Sequence, residues 1–335
     1  PSPFSPEWCH VLSMRRYVLR RIPQLIPLCV FAIVINFTLM HLAPGSPIDY
    51  LIGGGEVVPK EYIEKLTREF GLDKPLHEQL LIYIMNVFNG NLGTSYRYRA
   101  PVLHVILERV PNTILLMTTS IMFAFILGIF LGVSSSKRPY SLVDNLASTI
   151  SVLGYSIPTF WLGMLLIIVF SVYLRWLPTM GMSTIGAELE GWEAVMDTLK
   201  HLILPATTLG TTYLALYTRL TRASMLEELR KDYITTAWGK GLDDRAVYYR
   251  HAFRNAMLPV TTVLGLNLGL MLTGATLTET VFSWPGIGRL VYDSIITRDY
   301  PVLMGIFIIV SITVVLANFI VDILYAILDP RVRYK

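Results

Sequence analysis

A lysine between two glycines, in Trp238-Gly239-Lys240-Gly241, is where a phosphate-binding loop would be sought. Backbone amides cradle phosphates only in the longer G-x-x-x-x-G-K-[ST] arrangement, and this run lacks that spacing. The chain therefore does not supply ATP hydrolysis by that route. His77-Glu78 begins like a helical zinc-protease motif, but position 81 is Leu81, not a second histidine. The pair reads as part of a solvated helix face. His41 and His201 stand at the ends of apolar runs with no evident serine partner, and Cys9 and Cys29 are not placed for a disulfide or metal framework. No catalytic set, metal site or bound cofactor is assigned, no motif points to nucleic acid, and the chain is not read as an enzyme.

What remains is polar chemistry inside apolar stretches. A carboxylate at the centre of a bilayer costs roughly 2.5–3.5 kcal/mol even on the lenient scale, so Glu279 and Asp322 are candidates by default. Glu279 could face a pathway or meet Arg289, and Asp322 could simply reach an interface. Around them stand Ser151, Tyr155 and Ser156; Thr208, Thr211, Thr212 and Tyr213; and Asn267, Thr273 and Thr276. Singly, each is explained by hydrogen bonding between helices. As a set they make a wet central passage plausible, with Ser151, Tyr155, Ser156, Thr212, Tyr213, Asn267, Thr276 and Glu279 as its candidate lining.

The elements that must position these residues follow from composition. The chain has 335 residues, 53% hydrophobic and 16% charged, whereas a soluble domain averages about a quarter charged. The apolar residues fall in long runs, and a bilayer core needs about 20 of them in a helix. Six stretches qualify, at about 22–43, 113–133, 146–174, 202–220, 257–282 and 302–328. The first is too long for a signal-peptide core, and Pro44-Gly45-Ser46-Pro47 lacks a cleavage pattern. Prolines at 23, 27, 158, 205 and 259 are tolerated where neighbours re-satisfy freed carbonyls. Gly128/Gly132 and Gly265/Gly269 form small-xxx-small pairs suited to close helix packing. The expected fold is an all-α membrane protein of six spans. Most basic residues outside the long first loop fall before the first span, after the second and fourth, and in the tail. The positive-inside rule then places both termini in the cytoplasm. The expected organisation is a cytoplasmic segment 1–21, a first span 22–43, an extracytoplasmic helical segment 44–112, and a five-helix core 113–335 containing a loop 219–256.

The 44–112 segment is too long for a plain connection. Pro59-Lys60-Glu61 predicts a helix start and Gly71 its stop, with Tyr62, Ile63, Leu66 and Phe70 at helical spacing. A second helix, 76–88, places Leu80, Leu81, Ile84 and Phe88 on one face and closes at Asn89-Gly90, and a third runs over 102–110. In the 219–256 loop, the fourth span continues as a polar helix to Arg230. Asp232 then reads as an N-cap and Gly241 as a stop. Between them lies a short helix, Tyr233 to Lys240. Asp243 or Asp244 can cap the next helix, which leads through Arg250 to Pro259. Tyr233, Ile234, Ala237 and Trp238 put apolar and aromatic surface on a helix too short to be stable alone. They need a partner surface or burial against the loop itself.

The runs Asp232-Tyr233-Ile234-Thr235-Thr236-Ala237-Trp238-Gly239-Lys240-Gly241-Leu242 and Arg250-His251-Ala252-Phe253-Arg254-Asn255-Ala256-Met257-Leu258-Pro259 closely resemble the coupling-loop signature of ABC-importer permeases of the dipeptide/oligopeptide group. Phe70-Gly71-Leu72-Asp73-Lys74-Pro75, Asn91-Leu92-Gly93-Thr94-Ser95, Glu279 through Gly288, Arg298-Asp299-Tyr300-Pro301 and Leu328-Asp329-Pro330-Arg331 resemble the same group elsewhere, over about 14–333. The long loop after the first span is similar to the B-type member of the permease pair. The resemblance implies an inner (plasma) membrane location and a second, C-type permease. It also implies two cytoplasmic ATPases carrying ATP and magnesium, an extracytoplasmic solute-binding protein, and docking of an ATPase by Tyr233, Ile234, Thr235, Thr236, Ala237, Trp238, Gly239, Lys240 and Gly241. One departure stands out. The general motif opens with glutamate and two alanines, where this chain has Thr235, Thr236 and Ala237, so the glutamate's contact is not carried over. Oligosaccharide or nickel-chelate import is the alternative within the resemblance. A stand-alone secondary transporter would instead show internal repeats and a buried charge relay, and neither is evident.

Overall fold

The computed structural model describes residues 6–42, 59–70, 72–95 and 97–328, and is almost wholly helical. The 43–58 part of the outer segment, the Gly71 stop and the Asp329-Pro330-Arg331 end lie outside the described residues, as does the side chain of Asp322. The chain forms two compact units, one of residues 1–111 with 286–335 and one of 112–285.

In the first unit, helix α1 (Pro6–Leu42) packs along α14 (Tyr300–Leu328). Between them in sequence come α2 (Lys60–Phe70), α3 (Leu76–Phe88), a two-residue antiparallel ribbon β1–β2 (Thr94–Ser95, Ala100–Pro101), and α4 (Val102–Leu107). Helix α13 (Ile287–Ile296) precedes α14. Polar anchors between distant positions fix this unit. The Asn36 amide donates to the Met304 carbonyl at 2.9 Å, the Ser95 hydroxyl donates to the buried Asp299 carboxylate, and His41 Nε2 lies 3.1 Å from Gln79 Oε1. The packed face of α3 is Gln79, Leu80 and Tyr83, with Leu80 and Tyr83 against Phe37, while Leu81 and Phe88 are exposed. The expected 80/81/84/88 face is thus rotated, because the contact that decides it comes from α1. As expected, α3 closes at Asn89, with Gly90 at φ +74°.

The second unit holds α5 (Val110–Lys137, from Asn112 onward), α6 (Leu142–Ser156), α7 (Thr159–Leu166) with a wide π turn to Tyr173, the 39-residue α8 (Gly191–Leu229), α9 (Asp232–Gly239), α10 (Asp244–Ala246) with a second π turn to Ala252, α11 (Phe253–Gly269) and α12 (Thr276–Val281). Helix α8 is the hub, packing on α6, α7 and α11. Its seam with α5 uses the glycine pair found in the sequence. A Cβ on Gly128 would stand 2.6 Å from Tyr217 Cβ, and one on Gly132 would stand 2.6 Å from Thr221 Cβ. Only glycine lets these backbones approach so closely. Met117, Ile121, Ala124, Leu209, Leu214, Tyr217 and Val260 form the core at this junction.

Two expected spans are broken. The third divides at Ile157–Pro158, where its halves bend by 102°, because proline disfavours the α conformation of the residue before it and Ile157 is extended, at ψ 127°. The fifth ends at Gly269. A single 3₁₀ turn follows, then Gly274 at φ +76°, before α12 begins. The fourth starts earlier than expected, at Gly191, so Glu193 and Asp197 are helical rather than in a loop. Among the described residues three helices, 102–137, 244–273 and 300–321, are long and apolar enough to cross a bilayer. The bent pair adds a fourth if counted as one span, and Pro23–Leu39 is a shorter apolar helix.

Candidate functional site

The short helix α9 forms where the sequence places it, with one correction. Asp232 lies in its first turn and Lys231 is the cap residue, with no side-chain capping bond. Asp232 still suits the positive end of the helix dipole. The C-terminal end is a complete Schellman closure. The Gly241 N–H donates to the Trp238 carbonyl at 2.8 Å and the Leu242 N–H to the Ala237 carbonyl at 3.3 Å, with Gly241 at φ +79°. Asp243 flanks α10 without a capping bond, and the Asp244 carboxylate instead accepts from Trp238 Nε1 at 3.3 Å.

The helix has two distinct faces. Ile234 and Ala237, one turn apart, are buried with Val133 of α5, Met225 of α8, Val247 and Ala252 of the second π turn, and Ala256 of α11. Tyr233, Thr235, Thr236, Trp238, Gly239, Lys240 and Gly241 face outward, with the Trp238 ring 41% exposed. Burial against the loop thus holds for Ile234 and Ala237, while Tyr233 and Trp238 stay exposed on the other side. Tyr233 ties the helix to both flanking elements. Its hydroxyl donates to Glu228 Oε2 on α8 at 2.6 Å and accepts from Asn255 Nδ2 on α11 at 3.0 Å. Burial opposes the charged form of Glu228, yet hydrogen bonds from Lys231 and Tyr233 hold its carboxyl below the usual range. Burial, reinforced by the bond to Glu228, raises the Tyr233 phenol.

Two recesses flank the loop. One, of about 480 Å³, is lined by Tyr233, Arg250, His251, Arg254, Asn255 and Leu258. The other, of about 710 Å³, is lined by Lys137, Arg138, Asp244, Arg245, Tyr248 and Tyr249, and in it Lys137 donates to the Tyr249 hydroxyl at 2.7 Å. Nearby, Arg222 grips the buried Asp144 with two parallel bonds of 2.6 and 2.7 Å. Sequence reasoning missed this pair. The available signal was Ser141-x-x-Asp144, a helix-start pattern: Ser141 accepts from the Asp144 N–H, and Asp144 accepts from the Tyr140 N–H.

The candidate pathway residues differ in their local partners. Ser151 is buried and donates to the Ala147 carbonyl in its own helix, and Ser156 does the same to Val152. Tyr155 is exposed, with the Arg219 guanidinium 5.3 Å from its ring centroid. Thr212, Tyr213 and Thr276 are half-buried. Asn267 donates to Tyr217 at 3.0 Å, a partner the sequence reading passed over although it stands one helical turn beyond Tyr213. Glu279 is fully buried and accepts from Thr113 at 3.0 Å.

Long apolar helices joined by a surface helix with an aromatic outer face define a polytopic helical membrane protein. Residues 124–334 match the binding-protein-dependent transport system inner membrane component family, and residues 14–117 match the N-terminal membrane component of such systems. The chain belongs to this inner-membrane component family. It is 42% identical to a di/tripeptide transport system permease protein of Pseudomonas aeruginosa, 41% to an oligopeptide transport system permease protein of Bacillus subtilis, and 40% to a dipeptide transport system permease protein of Escherichia coli. Each comparison covers 96% of this chain and the whole of the relative. In fold it is similar to a chain of the inward-facing MetNI methionine ABC transporter, with a TM-score of 0.51 and 18% identity over 66% of this chain and 94% of that one.

Proposed function

We propose that this chain is a permease subunit of an ATP-driven importer for di- and oligopeptides, forming half of a translocation pathway and docking a cytoplasmic ATPase through α9. The observation that carries the docking role is the division of α9 into a buried and an outward face. Ile234 and Ala237 fasten it to the ends of α5, α8 and α11, while Trp238 and its neighbours stand free for a partner. A helix clamped on one side to three membrane-directed helices acts as a lever, since force on its outer face reaches all three. For that lever to bias alternating access, the ATPase must hold α9 differently in its two states, because an equal contact shifts nothing.

In this reading the six apolar stretches are six spans, counting the bent α6–α7 pair and the interrupted α11–α12 pair once each, and both termini are cytoplasmic. ATP hydrolysis belongs to partner subunits. A second permease, two ATPases and an external solute-binding protein complete the machine. Peptide is favoured as substrate by the relatives' named substrates. Trp238→Asp tests the docking face, and α9 is expected to stay in place while peptide uptake falls at least tenfold and ATP hydrolysis loses its dependence on the loaded binding protein. Unchanged uptake would overturn the assignment. The structure sharpens this choice of position, because charging the buried Ala237 would disrupt the loop itself. Stimulation of the assembled complex by binding protein loaded with oligosaccharides and not with peptides would overturn the substrate class.

A further inference from the structure

The loop contains cations of two kinds. Arg222 and Lys231 have carboxylate partners, Asp144 and Glu228. Arg250 and Arg254, which line the 480 Å³ recess together, have no ion-pair partner among the described residues. They stand four positions apart on one helical run, where like charges repel, and among the described residues no carboxylate lines the recess. Glu228 touches its wall through Tyr233 and is itself neutralised by Lys231.

The remaining wall chemistry narrows the occupant. The single hydroxyl proton of Tyr233 is committed to Glu228, and Asn255 is held by Tyr233. The donors left are the two guanidiniums, His251 and the second N–H of the Asn255 amide. That is a set for an anion with several acceptor oxygens, for which guanidinium forks are well matched. One helical turn beyond Arg254, at the start of the apolar stretch of α11, Leu258 is 53% exposed in the same recess. The site therefore passes from cationic to apolar in the direction of the bilayer. Its volume lies in the range of small-ligand sites, about 300–1,000 Å³.

We infer that the Arg250–His251–Arg254 recess binds the phosphate of an anionic phospholipid headgroup, with an acyl chain leaving along Leu258. Basic pockets at the cytoplasmic ends of membrane helices take such headgroups, and each arginine near an anionic surface contributes a factor of about five in affinity. The inference rests on the loop lying at the membrane surface, and does not depend on which solute is carried. Its consequence is that an annular lipid braces the hinge between α9 and α11.

The test uses the assembled transporter in nanodiscs of phosphatidylcholine with and without phosphatidylglycerol, with retained lipid counted by native mass spectrometry. Wild type is expected to retain phosphatidylglycerol in preference to phosphatidylcholine. Arg250→Gln and Arg254→Gln are each expected to weaken that retention about fivefold, and Arg254→Lys to keep part of it. Arg245→Gln, in the neighbouring recess, is expected to leave it unchanged. The lysine variant separates loss of charge from loss of fold. Equal retention by the Arg250→Gln/Arg254→Gln double variant would overturn the proposal. So would full displacement of the lipid by millimolar inorganic phosphate, which would assign the recess to a free anion, or exclusion of phosphatidylglycerol whenever the ATPase subunits are bound. Loss of peptide uptake in Trp238→Asp with lipid retention intact would separate this site from the docking role.

Discussion

The segment between α1 and α5 and the loop between α8 and α11 are both polar connections between membrane helices, yet they are finished differently. The first is closed against the ends of α1 and α14. Its polar groups find sequence-distant partners, as in Ser95–Asp299 and Gln79–His41, and Gly305 lets α14 come so near α4 that an added Cβ would lie 2.4 Å from Val102 Cγ1. The second is closed on one side only. Ile234 and Ala237 are buried, but Trp238 faces outward, bonded only to the neighbouring Asp244, and Lys240, Arg250 and Arg254 face outward without carboxylate partners among the described residues. Buried polar groups that are fully bonded specify one arrangement, whereas an aromatic and cationic surface left open is suited to recognition. In the proposed docking role, the first part holds and the second is the part that is held.

Breaking the base of the open loop is expected to have the largest effect. Arg222→Ala leaves the buried Asp144 carboxylate without its counter-charge, a loss of about 3–5 kcal/mol. A drop in thermal stability in detergent, with partial recovery in Arg222→Ala/Asp144→Ala, checks it, and an unchanged melting temperature would show that the pair contributes nothing. Where α14 meets the closed segment, Gly305→Ala forces Val102 and Ile106 to shift, at a cost of about 1–3 kcal/mol. The same melting experiment should show a clear loss, and no loss would mean that the contact is looser than described. Gly241→Ala should be milder and local. Its open surroundings leave only the left-handed backbone penalty, about 1–2 kcal/mol. Hydrogen exchange should quicken in 232–242 and stay unchanged in 76–107.

The smallest expected effect is on pH dependence, at Asp299, which anchors the closed segment through Ser95. Burial raises the Asp299 carboxyl above the usual aspartate range, although the Ser95 hydroxyl and the Val302 N–H pull it back. A carboxyl raised in the folded state contributes most below its unfolded value of about 3.9, and that contribution fades as pH rises through the folded value. Wild type should therefore lose a little thermal stability as pH rises above about 4, and Asp299→Asn should flatten that slope. An equal slope in both proteins would place the titration elsewhere.

The sequence alone determined the class of element and much of the loop. Long apolar runs can satisfy their backbone in a bilayer only as helices, and a glycine at the left-handed position ends a short helix wherever it is placed. For that reason α9, its Gly241 closure and the Gly128/Gly132 seam were legible, and the family followed from motifs. Tertiary structure decided what depends on neighbours distant in sequence. Composition cannot show that the third apolar stretch bends by 102° at Pro158, since proline is also tolerated in spanning helices. Nor can periodicity choose the packed face of α3 when Phe37, against which Leu80 and Tyr83 pack, lies on the sequence-distant α1. The division of α9 is the same lesson. Tyr233, Ile234, Ala237 and Trp238 are equally apolar as a pattern, and only packing against Val133, Met225 and Val247 determined that Ile234 and Ala237 turn inward while Tyr233 and Trp238 face out.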